Sequence, residues 1–159
     1  MRNALLSSGT VRKRILIVLL VLILAFIWGK SCLPVRLSSR ESGRILALLR
    51  PILGPIVGPE NVTDHLVRKL AHFTEFTALG LVLGLLVHSG RRPRVYTVSS
   101  VLVWGLLAAF ADESIQMLSD RGDQIIDVWL DFSGAALGTA LSLLLAALLR
   151  RKKTRKPKK

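Results

Sequence analysis

The chain has 159 residues, 51% of them hydrophobic, and a formal net charge of +13. Its length is that of one domain, and its mean hydropathy of +0.49 argues against an ordinary soluble class. The charge is segregated rather than spread over a nucleic-acid-binding face: residues 1–14 hold four Lys/Arg, 88–95 three and 150–159 eight, fifteen of the chain's 23, with no acidic residue among them.

The first apolar segment, about Ile15 to Cys32, follows a basic stretch as a secretory signal would. No small-x-small cleavage site follows promptly, so it reads as an uncleaved first span. Cys32 is the lone cysteine; it excludes an internal disulfide and belongs to no metal or redox motif. Between about Ser31 and His65, Arg36, Arg40, Arg44 and Arg50 punctuate an apolar series of Leu37, Ile45, Leu46, Leu48 and Leu49 at near-helical spacing. That pattern predicts a helix lying in the membrane interface. Pro51, Pro55 and Pro59, with Gly54 and Gly58, are expected to forbid a continuous helix through Ile52 to Val57, leaving a short re-entrant or surface-lying segment. Asn61-Val62-Thr63 fits a glycosylation acceptor, a pattern common by chance.

Three further apolar segments follow, at roughly 66–88, 95–111 and 125–149. Lys/Arg excess marks cytoplasmic loops, and the basic segments lie at the N-terminus, after the second span and after the fourth. The expectation is an all-α, polytopic integral membrane protein with four transmembrane helices and an interfacial segment between the first two. Its domains would be a basic cytoplasmic N-terminus (1–14), a four-helix membrane domain (15–149) and a basic cytoplasmic tail (150–159). The tail is a like-charge run suited to an anionic leaflet.

In this topology the ionisable residues of spans two, three and four fall at the non-cytoplasmic ends. On span two, His65, Lys69, His72 and Phe76 share one face, with Glu75 beside His72. On span three, Asp112 and Glu113 stand four and three residues before Gln116, and adjacent carboxylates require a neutralising partner such as Lys69, Arg121 or His72. Span four follows the turn-like stretch around Arg121 and sets Asp127, Asp131, Gly134, Gly138 and Ser142 along one stripe. Gly134-x-x-x-Gly138 and Gly80-x-x-x-Gly84 are complementary small-residue patterns, and close packing there would bring His72 and Glu75 near Asp127 and Asp131.

Together Arg68-Lys69-Leu70-Ala71-His72-Phe73-Thr74-Glu75-Phe76, Asp112-Glu113-x-x-Gln116, Arg121, Asp127, Asp131 and Gly134 resemble the VanZ-like family, most strongly over 64–138. The resemblance implies a multi-pass protein of the bacterial cytoplasmic membrane, linked in some members to reduced susceptibility to teicoplanin-type lipoglycopeptides. It also implies Lys69, His72, Glu75, Asp112, Glu113, Gln116, Arg121, Asp127 and Asp131 as a polar signature. Asp131 stands where relatives often carry Asn.

Two functions compete, beside a reading in which the polar cluster is mainly a structural core. In the first, Lys69, Arg121 and His72 engage an anionic lipid or polyprenyl-phosphate headgroup at the extracytoplasmic face, oriented by the carboxylates. In the second, a membrane-embedded hydrolase or transferase uses Glu113 or Asp112 as base, His72 as acid or metal ligand and Lys69 or Arg121 to stabilise charge, with Glu75 nearby. His65 and His72 lack the spacing of a zinc helix; Glu75, Asp112, Glu113 and Asp127 offer oxygen ligands suited to magnesium or calcium, but carboxylates alone are a weak signal, and no cofactor or metal is expected. The expected partners are membrane lipids, with an envelope lipid or lipoglycopeptide as ligand, and no nucleic acid. The cytoplasmic halves of spans two to four hold only apolar and small residues, which disfavours an ion pathway.

Overall fold

The computed structural model describes residues 2–33, 35–88, 94–119 and 125–154. Among them the chain forms five helices and no strand: α1 (Arg2–Ser31), α2 (Val35–Val57), α3 (Asp64–His88), α4 (Arg94–Leu118) and α5 (Ile125–Thr154). Three stretches, Asp64–Val87, Val98–Leu118 and Ile126–Leu149, are long and apolar enough to cross a membrane, as a multi-pass protein requires. The turn-like stretch around Arg121 and the end of the basic tail lie outside the described residues.

Helix α2 corrects one expectation, because it runs unbroken to Val57 with Pro51 and Pro55 inside it. The two prolines are four residues apart and both exposed, so the carbonyls that lose their amide partners share one outward stripe instead of opening the packed side. The helix stops at Gly58, whose φ of +88° suits a residue without Cβ. Asn61 Nδ2 then donates to the Val57 carbonyl at 2.7 Å, and Thr63 Oγ1 accepts from the Leu66 amide at 3.2 Å to cap α3. Both polar residues of the glycosylation-like triplet thus serve the turn between α2 and α3.

Helix α3 is the hub, packed most extensively on α5 and also on α1, α4 and α2. Within lipid there is little hydrophobic force between helices, so close van der Waals contact has to hold them. Along the α3–α5 seam the glycines supply it. A Cβ on Gly134 would stand 2.5 Å from the Phe73 carbonyl oxygen, and one on Gly138 would stand 2.6 Å from the Leu81 nitrogen. Gly80 faces the Ala135 backbone and Gly84 the Ser142 side chain. Thr77, Thr139 and Ser142 turn their hydroxyls onto carbonyls of their own helices, so these three make no polar demand on the facing helix. Around it Ile27, Phe76, Leu79, Leu83, Val101 and Ala109 form the core. Large apolar side chains such as Val103, Trp104, Phe110 and Leu141 remain exposed on the outside of the bundle.

Candidate functional site

The C-terminal ends of α1 and α4 meet the N-terminal ends of α3 and α5, and the polar side chains of four helices converge there. Lys69 of α3 pairs with Asp127 of α5 at 2.8 Å, and Lys30 of α1 pairs with Glu75 of α3 at 2.5 Å. Glu75 therefore has its cation on α1, whereas the seam geometry pointed it towards α5. Asp64 and Arg68 form an i, i+4 pair at 3.3 Å on the rim, and His65 is exposed.

Deeper in, Asp112 is fully buried and held through both oxygens. Ser31 Oγ donates to Oδ1 at 2.5 Å and Gln116 Nε2 to Oδ2 at 2.8 Å, while Gln116 reaches Glu113 at 3.2 Å. The same Asp112 Oδ2 lies 3.4 Å from His72 Nδ1, and Asp131 Oδ2 lies 3.8 Å from that nitrogen on its other side. Asp131 is 1% exposed, and its Oδ2 has no hydrogen-bond partner among the described residues. His72, Asp112 and Asp131 thereby place three ligand-type atoms within 4.8 Å of one another. Of the nine polar positions singled out in the sequence, eight gather at this end of the bundle; Arg121 lies outside the described residues.

Two members of the site escaped sequence reasoning. Lys30 and Ser31 close the first apolar segment and there mark only where it ends. The available signal was topological, since in the expected four-span arrangement the first apolar segment ends on the side where the second begins, and a lone Lys there would need an anion.

Immediately inward of the polar cluster is an apolar cavity of about 470 Å³ between α1, α3 and α4. Leu24, Trp28, Leu79, Leu83, Ala108 and Ala111 line it. Its wall residues Trp28, Ala111 and Leu79 are within about one helical turn of Lys30, Asp112 and Glu75. Trp28 Nε1 is buried with no acceptor among the described residues.

The VanZ/LLP1 family model matches residues 16–146, most of the chain and all of the polar cluster. The chain belongs to the VanZ/LLP1 family. That match reaches back through α1, so Lys30 and Ser31 fall within the family region together with the residues of α3, α4 and α5. No curated protein and no solved structure matches the chain.

Proposed function

We propose that this VanZ/LLP1 protein binds an anionic lipid, of phospholipid or polyprenyl-phosphate type, at the extracytoplasmic face of the bacterial cytoplasmic membrane. One observation carries the reading: a tail-sized apolar cavity abuts a polar cluster holding Lys30, Lys69 and the Trp28 indole, which has no acceptor among the described residues. A headgroup phosphate would accept from the lysines and the indole while an acyl or prenyl chain filled the cavity. Arg121, outside the described residues, would add a bidentate donor.

In this reading α1 is a fourth span. Its apolar residues Ile15, Val18, Val21, Leu22 and Phe26 are exposed as a lipid-facing surface would be, and its end meets α3 and α4 at the polar cluster. Helix α2 lies in the interface, with Ile45, Leu48, Ile52 and Ile56 exposed along one stripe and Arg44 and Arg50 away from it. Both termini are then cytoplasmic, in keeping with their basic residues. Family membership supports lowered susceptibility to teicoplanin-type lipoglycopeptides as the cellular consequence.

Native mass spectrometry of the detergent-purified protein tests the binding. Wild type is expected to retain a defined anionic lipid that Lys30→Ala, Lys69→Ala and Arg121→Ala release, and Ala108→Phe is expected to lose it by filling the cavity. Retention of the same nonspecific lipids by wild type and correctly folded variants would overturn the reading. The juxtaposition of His72 with Asp112 supports a second, enzymatic reading, in which a carboxylate orients an imidazole for proton transfer. Release of phosphate or headgroup from the retained lipid by wild type, abolished in His72→Ala, would favour it.

A further inference from the structure

We infer that His72, Asp112 and Asp131 form a binding site for one divalent transition-metal ion that ties together α3, α4 and α5. The spacing of the donors is the first ground. His72 Nδ1 stands 3.4 Å from Asp112 Oδ2 and 3.8 Å from Asp131 Oδ2. Both distances are too long for good hydrogen bonds. They are close to the separation of two ligands on one ion, since donors about 2.1 Å from a tetrahedral centre lie about 3.4 Å from each other. One ligand atom from each of the three residues lies within 4.8 Å of the others, a spacing that a modest side-chain rotation closes onto a single ion.

The second ground is the state of Asp131. Its side chain is 2% exposed, and Oδ2, the oxygen facing His72, accepts no hydrogen bond from any described residue. A carboxylate withdrawn from water at this depth requires a proton or a cation, and a divalent ion serves two carboxylates at once. Third, Asp112 is already oriented as metal-bound carboxylates are. Ser31 donates to its Oδ1, and Gln116 donates to Oδ2, the oxygen nearer His72. One imidazole and two carboxylates make a borderline donor set that suits Zn²⁺ or Mn²⁺, and they leave a coordination position open. Cys32 is exposed and takes no part.

The test is metal content of the full-length protein in detergent, stripped with a chelator, equilibrated with Zn²⁺ or Mn²⁺ and desalted. Wild type should retain one ion per chain, as should Glu60→Gln, whose carboxylate is remote. Asp131→Asn and His72→Ala should lose it. Ser31→Ala should bind about tenfold more weakly, as expected for loss of an outer-shell hydrogen bond. A chain that holds no ion, or variants that hold it as wild type does, would overturn the assignment. Where the ligand variants fail to fold, Mn²⁺ bound to wild type decides the matter by pulsed electron paramagnetic resonance. Coupling to one imidazole nitrogen is expected, and its absence refutes the site. Lys69→Ala should release lipid and keep the metal, so failure of the lipid reading and failure of the ion site are told apart.

Discussion

The two halves of the α3–α5 seam are built on the same pair of helices and held by opposite means. In the inner half, glycine brings backbone against backbone, and every described Thr or Ser hydroxyl is spent on its own helix. In the outer half Lys69 of α3 pairs across the seam with Asp127 of α5, and beside it Lys30 and Ser31 of α1 reach Glu75 of α3 and Asp112 of α4. The halves meet where Gly134 touches Phe73, one residue from His72 and three from Asp131. The close approach set by the glycines is therefore inherited by the polar side chains above it. The inner half needs nothing from outside the protein, whereas the outer half collects more carboxylates than the described lysines can match.

Breaking the inner half should produce the largest effect. Gly134→Leu forces α5 away from the Phe73 carbonyl, and overpacking of this kind costs about 1–3 kcal/mol or more. Because the displacement also separates His72 from Asp131, lipid and metal retention should fall together with the melting temperature in detergent. Gly29→Ala is the matched control. Nothing lies within 4 Å of a Cβ there, so the substitution should raise helix stability by about 0.5–1 kcal/mol. Equal losses in both variants would show that any added side chain disturbs the site, and that the close approach at the seam does not govern it.

In the outer half, Ser31→Ala should come next in size. It leaves buried Asp112 without a charge-assisted hydrogen bond, a loss of about 2 kcal/mol visible as a lower thermal midpoint with the bundle intact. A midpoint equal to wild type would mean that Asp112 is held from α4 alone through Gln116, and that α1 packs on the site without fastening it.

The division between halves also explains what the sequence made legible. Residues within one helix disclose their register, so the small-residue stripes, the Asp112–Gln116 spacing and the shared face of Lys69 and His72 could all be read from intervals of three and four. Contacts between helices could not. The His72–Asp112–Asp131 triangle takes one donor from each of three helices, and no interval in the sequence encodes it. Lys30 and Ser31 were hidden for the same reason, their partners being on α3 and α4. The continuity of α2 is hidden from the sequence on other grounds. Proline counts against a helix through the carbonyls it orphans, and that count changes when the orphans share an exposed stripe.

The smallest effect sharpens the comparison within the outer half itself. Arg68 and Lys69 are neighbours in sequence and similarly exposed, yet Arg68 pairs along its own helix with Asp64 while Lys69 reaches across to Asp127. An exposed i, i+4 pair contributes about 0.3–0.5 kcal/mol, so Arg68→Ala should barely move the thermal midpoint. It should also leave lipid retention unchanged, because Arg68 sits on the rim and Lys69 faces the cluster. Comparable lipid loss from both substitutions would indicate attraction of an anionic surface to any cation at this depth. Loss confined to Lys69→Ala would locate recognition between the helices, where the seam holds α5 against α3.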